Sequence, residues 1–250
     1  MANHALATLE TALRAKKLDR TLTTALPPLE RHDPSALIPT DVTVLDACLR
    51  GGLPRGQLSE IVGPPSSGRI TLALQTIAAA AGRGEIAALV DAFDQLDVAS
   101  AADAGIDLNR LLWIRGSASG VGHRWSPPSG GPDDTINRAL KALNLVLQAG
   151  GFGCVVLDLA AAPAIALGRI PFTTWLRVQR VIEGSDTACV LVAPQPIARS
   201  AGGLTLMLSG SGRWTGDADR NRHLTGADIN VRVASPRRRV DGELSLCIGH

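Results

Sequence analysis

The chain has 250 residues, 45% of them hydrophobic and 19% charged, and 25 Lys and Arg against 23 Asp and Glu leave a formal net charge of +2. That length and apolar share suffice for a sizeable core and exclude a largely disordered chain. Aromatic residues are only 3% and Tyr is absent, so platforms for base stacking are scarce, and Cys48, Cys154, Cys189 and Cys247 lack the C-x-x-C spacing of a zinc site or redox motif.

In chain order, Ala5 to Leu18 places Leu6, Leu9 and Leu13 on one face of an amphipathic helix, followed by a link containing Pro27, Pro28 and Pro34. The expected organisation is a helical arm and linker over residues 1–37 and one core domain over 38–250. Gln57 to Val62 reads as a short strand entering a glycine loop, and the Ala-rich segment Thr71 to Ala81 as a helix stopped by Gly82 and Gly84. A strand at Ile86–Val90, a helix around Gln95–Ala104 and a strand at Leu111–Ile114 follow, then a Gly/Ser/Pro loop from Gly116 to Asp133. Asp133 and Asp134 start a helix reaching Leu147, and strand Cys154–Leu157 ends at Asp158. Helix Thr173–Glu183 and strand Ala188–Ala193 lead into a polar loop that runs to His223, and Ile229–Val233 with Leu244–Ile248 close as an antiparallel pair. Strands alternating with helices predict an α/β fold, a doubly wound and mostly parallel sheet with its ligand at the strands' C-terminal ends. No run approaches membrane-spanning length, and the expected compartment is the cytoplasm.

The segment Gly63-Pro64-Pro65-Ser66-Ser67-Gly68-Arg69-Ile70-Thr71 has the glycine spacing of a phosphate-binding P-loop, G-x-x-x-x-G-K-[ST]. Arg69 stands at the Lys position, a bulky planar fork in place of a compact ammonium. Ile70 stands at the hydroxyl position and cannot ligate Mg²⁺. Thr71 lies one residue later, about 100° round the helix, and should point away from the phosphates. The backbone nest can attract an anion without side chains. Two readings stay open: weak ATP or ADP binding with little help from Mg²⁺, or an empty strand-to-helix turn. Asp158, after the apolar run Val155–Leu157, is placed either as a Walker B acid or as a helix cap.

The stretch L45-D-A-C-L-R-G-G-L-P-R-G-Q-L-S-E-I-V-G-P-P-S-S-G68 resembles the bacterial RecA recombinase family, whose pattern is L-D-x-x-L-G-x-G-G-L-P-x-G-R-x-x-E-I-x-G-P-x-S-S-G-K-T-T. The likeness extends through Val90-Asp91-Ala92, Leu96-Asp97, Gly105-Ile106-Asp107 and Leu111-Leu112. The chain length is similar to that of the ImuA group, RecA-like accessories of SOS-induced translesion synthesis. The resemblance places the family's catalytic carboxylate at Phe93, which can neither accept a proton nor position water. It places an adenine-contacting Asp at Asp97, the Walker B acid at Asp158 and a γ-phosphate-sensing Gln at Gln195. Asp91 and Asp94 are the acids near enough in sequence to stand in for the missing one.

The resemblance further implies DNA-contacting loops after Asp158 and after Gln195. The first, Ala160 to Pro171, is short and apolar. The second, Pro196 to His223, carries Arg199, Arg213, Trp214, Arg220 and Arg222, suited to phosphate pairing and base stacking; the bland alternative is a surface loop with Trp214 plugged against the sheet. Arg237 to Arg239 read as solvated charges flanking a hairpin. The implied partners are translesion DNA polymerases or RecA-like subunits and single-stranded DNA, with no membrane. The N-terminal helix docks either on a neighbouring subunit, making a homo-oligomer, or on its own core. Two functions compete: an adaptor with a degenerate ATP site and no catalytic residue, or an ATP-dependent recombinase with unusual catalytic residues.

Overall fold

Runs of apolar residues with no polar alternation form strands buried on both faces, the condition of a parallel sheet covered by helices. The computed structural model describes residues 34–116, 131–198, 203–216, 221–234 and 242–249. The chain divides between Asp33 and Pro34, and the unit from Pro34 onward carries the fold below. The expected N-terminal helix, Arg199, Arg220 and Arg237 to Arg239 lie outside the described residues.

The interior strands are β3 (Leu58–Val62), β4 (Ala87–Asp91), β6 (Cys154–Asp158) and β7 (Ala188–Ala193). With β5 (Leu111–Arg115), β8 (Thr205–Thr215), β9 (His223–Ala234) and β10 (Gly242–Gly249) they make an eight-stranded sheet of order β10-β9-β8-β3-β7-β6-β4-β5. Pairing is parallel from β5 to β8 and antiparallel in the β8-β9-β10 meander. A separate two-stranded ribbon pairs β1 (Leu37–Ile38) with β2 (Leu53–Pro54). The expected α/β class is the one observed, and Ile229 and Val231 of the closing pair face Leu246 and Leu244.

Successive strand residues point to opposite faces, so the core divides into two clusters. On one face Ile61, Leu89, Val156 and Val190 pack under α1 (Thr43–Leu49), α2 (Arg69–Gly82) and α3 (Val98–Asp103). On the other, Val90, Val155, Leu157 and Leu191 pack under α4 (Gly131–Ala149), α5 (Ala164–Gly168) and α6 (Phe172–Ile182). Trp175 of α6 is 1% exposed, as its place beside Val178 predicts. Cys154 and Cys189 are buried free thiols, and burial pushes Cys154 up to about 12.

Two expectations need correction. The polar loop read from Pro196 to His223 instead contains strand β8, with His223 opening β9, because residues 205–215 gain their backbone bonds from a long antiparallel partner. The connection Ala160 to Pro171 contains the short helix α5, begun at Pro163. Residues 43–49, which overlap the start of the RecA-like stretch, form α1, whose Asp46 carboxylate accepts from Thr40 and Asp41 N–H.

Candidate functional site

Strand β3 ends at Val62, and the chain turns through Gly63 to Gly68 into α2. Gly68 caps the helix with φ 84°, a left-handed conformation that suits glycine, and a Cβ there would collide with Ile229 Cδ1 of β9. A Cβ at Gly63 would collide with the Leu208 carbonyl of β8 and with Ser67 Oγ. The glycine spacing therefore serves the close approach of β8 and β9 to the loop as well as any ligand.

Arg69 is 7% exposed and turned into the loop. Its Nη1 donates to the Gly63 carbonyl, and its Nη2 donates to the Ala160 carbonyl at 3.1 Å, tying the loop after β3 to the loop after β6. Burial lowers its pKa and the Asp158 charge partly restores it. Ile70 and Thr71 are both exposed. Ser67 Oγ is buried without a hydrogen-bond partner among the described residues.

A cavity of about 520 Å³ opens beside α2 at the C-terminal ends of the strands. Pro65 to Thr71 line it with Asp97 and Asp158, and Leu74, Ile77, Leu89, Val156 and Val192 give it an apolar interior. Asp97 caps α3, accepting from Ser100 N–H at 2.9 Å and Ser100 Oγ–H at 2.6 Å, and these bonds hold its pKa below the usual range. Asp158 faces Asp91 in the β4–β6 register and accepts from Ala160 N–H at 2.8 Å. Burial, with the Asp91 charge, pushes Asp158 up to about 6 against the pull of that bond and of Arg69.

Phe93 does not line this cavity; it packs against the opposite core cluster, under α4. Neither nearby acid is open to replace a carboxylate there. Asp91 is buried and accepts from Gln95 N–H, Leu96 N–H and the Trp113 indole, while Asp94 is held bidentately by Arg115 at 2.7 and 2.8 Å. Gln195, exposed beyond β7, is outside the cavity lining. Among the described residues, no group of three or more His, Cys, Asp or Glu is placed to hold a metal ion.

These residues fit an anion at the loop: the orphaned Ser67 hydroxyl and the glycine cradle are suited to one. They do not fit a magnesium nucleotide. The Arg69 fork is engaged by the protein's own carbonyls, a hydrocarbon stands at the metal-ligand position, and the half-buried acid Asp158 favours its neutral form more than an ordinary carboxylate does.

The RecA N-terminal domain family matches residues 30–165, more than half of the chain. The chain belongs to the RecA family. Protein RecA of Clavibacter michiganensis subsp. michiganensis is 39% identical to it over 134 residues, covering 53% of this chain and 32% of the relative. Protein RecA of Mycobacterium ulcerans is 37% identical and that of Arthrobacter sp. 38%, each over 134 residues, 53% of this chain and 34% and 33% of the relatives. The match thus spans about a third of each of these curated relatives. Within this family fold, the matched segment includes the P-loop, Phe93, Asp97 and Asp158. The hairpin that follows lies outside it.

That hairpin brings several predicted residues together. Beyond Leu208, β8 is exposed; Trp214 is 52% exposed, with the Arg222 guanidinium 5.4 Å from its ring centroid. Arg213 lies 3.5 Å from Asp228 on the same ribbon. Trp214 therefore does not plug against the sheet.

Sequence reasoning missed the inward turn of Arg69, because its rotamer is set in part by the Ala160 carbonyl, distant in the chain. It also missed Glu60 of β3, which is fully buried and accepts from Ile197 N–H at 2.8 Å, Ala198 N–H at 2.7 Å and Thr205 Oγ1–H at 3.2 Å. An acid inside an apolar strand was the available signal. No helix among the described residues is long and apolar enough to cross a membrane.

Proposed function

We propose that this RecA-family chain is an accessory of the bacterial DNA-damage response, of the ImuA kind. It holds DNA or translesion polymerases in place and does not turn over ATP. The observation that carries this reading is the Arg69 side chain, bonded to Gly63 and Ala160 where a P-loop needs a cation free for phosphate. Ile70 at the metal-ligand position and Phe93 at the carboxylate position support it. Loss of a general base or water-positioning group alone costs about 10²-fold to 10⁴-fold in rate. ATP or ADP binds weakly through the loop backbone, and Mg²⁺ adds little.

Phosphate release in the presence of single-stranded DNA tests the reading. The wild type is expected to stay at background, and an Arg69→Lys, Ile70→Thr, Phe93→Glu variant to exceed it. Wild-type turnover equal to or above that of the variant would favour the second reading, an ATP-dependent recombinase, for which Asp97 and Asp158 in the cavity are the supporting residues.

The exposed β8–β9 ribbon is the proposed DNA surface, with Arg213 and Arg222 meeting phosphates and Trp214 offering a stacking face. Arg199 and Arg220 are proposed to add to it. Replacing Arg213 and Arg222 with Ala is expected to weaken single-strand binding and to reduce the slope of log affinity against log salt by about 0.7 for each phosphate no longer neutralised. Titrations at several salt concentrations read this out, and an unchanged slope removes the ribbon from the proposal.

A further inference from the structure

Helices α4 and α6 lie side by side on the sheet face opposite the P-loop, yet their seam is not closed by apolar side chains throughout. A groove of about 570 Å³ runs between them, floored by Leu140 and Val178 and walled by Asn137, Lys141 and Asn144 of α4, which recur at helical spacing, with Thr174 and Arg177 of α6. Arg138 completes the α4 wall and Asp134 marks one end. A second depression of about 250 Å³ shares Asn137, Leu140 and Thr174 with it, so the groove is elongated.

Its cations differ from most other described arginines. Arg55, Arg83, Arg110, Arg115, Arg169 and Arg213 each pair with a carboxylate. Arg138, Lys141 and Arg177 have neither an ion pair nor a hydrogen bond among the described residues. All three are exposed. Among the described residues Asp134 is the one acid lining the larger depression, and Asp133 in the smaller one is paired with Arg169, so the groove is net positive. Leu145, one residue after Asn144, and Leu176, one before Arg177, are exposed apolar side chains on the same helices.

We propose that this groove is a docking site for an acidic segment of a partner protein, one that alternates carboxylates with aliphatic side chains. Carboxylates meet Arg138, Lys141 and Arg177, with Asn144 and Thr174 as hydrogen-bonding neighbours. Aliphatic side chains cover Leu140 and Val178 on the floor. A nucleic acid suits the lining less well, because among the described residues no aromatic ring lines the groove to stack a base.

The test is fluorescence anisotropy on the full chain with a short fluorescein-labelled peptide alternating glutamate and leucine. A peptide with glutamine in place of glutamate and a labelled single-stranded oligonucleotide serve as comparison probes. The glutamate peptide is expected to bind at least about tenfold more tightly than the glutamine peptide, and to lose that advantage in an Arg138→Glu, Lys141→Glu, Arg177→Glu variant with an unchanged melting temperature. Oligonucleotide binding is expected to stay the same. The single change Arg177→Gln, which adds no repulsion, should give a smaller loss in the same direction. Equal binding of the two peptides, absence of binding, or insensitivity to both variants overturns the proposal. So does an equal loss of oligonucleotide affinity, which would make the groove a nucleic-acid surface.

Discussion

Asp158→Asn is expected to raise stability at neutral pH by up to about 3 kcal/mol and to remove a pH dependence that the wild type shows on the acid side. The carboxyl titrates near 3.8 when unperturbed and is pushed up to about 6 in the fold, chiefly by burial and then by the Asp91 charge. Between those values the folded chain holds more protons than the unfolded one. Stability attributable to this group is therefore fully present below about 4, falls as pH rises through about 6, and stays at the lower level above that. Asparagine keeps an oxygen for the Ala160 N–H and carries no charge to desolvate. Urea denaturation of both proteins at mildly acidic and neutral pH measures the difference. A wild type that gains stability relative to the Asn variant as pH rises would mean that Asp158 is stabilised in its ionised form, as a metal-binding carboxylate should be.

Arg69→Ala is expected to destabilise the protein by about 2–4 kcal/mol, read from the urea midpoint. Hydrogen bonds to charged groups contribute about 1.5–3 kcal/mol each, and here two are lost while the Gly63 and Ala160 carbonyls lose that donor; removal of a buried charge offsets part of the loss. Arg69→Lys should fall between Ala and wild type, because one ammonium cannot reproduce the planar fork that spans both carbonyls. This ordering separates a structural tie from a nucleotide-binding cation. If Ala matches the wild type in stability while only the wild type is raised in melting temperature by ATP and Mg²⁺, the guanidinium serves a ligand and not the loop.

Much of this was legible in the residues. The buried strands β4, β6 and β7 announced themselves as apolar runs, and the Gly63–Gly68 spacing located the end of β3 and the turn into α2. Strand β8 did not, because Ser209 to Thr215 is rich in Gly and Ser and is exposed; its extended form comes from β9, a partner whose pairing no local propensity reveals. Helix α5 has only five residues, too few for a periodic pattern. In the site, the residue types at positions 69, 70 and 93 were readable, but their directions were not. Arg69 turns inward because carbonyls at Gly63 and Ala160 await donors, and Phe93 turns to the α4 face because it is hydrocarbon.

Glu60 and Ser59, neighbours on the central strand β3, grip the chain at Ile197 and Ala198 on one side and at Leu204 and Thr205 on the other. The described residues on either side of the intervening segment are therefore held on the same short stretch of scaffold. The segment's length is uncoupled from the register of the sheet, so residues can be spliced in or trimmed there with little disturbance below. This makes the segment between Ala198 and Gly203 a natural point for grafting a reporter peptide, and a place where descendants of one ancestor can diverge in reach while keeping a common frame.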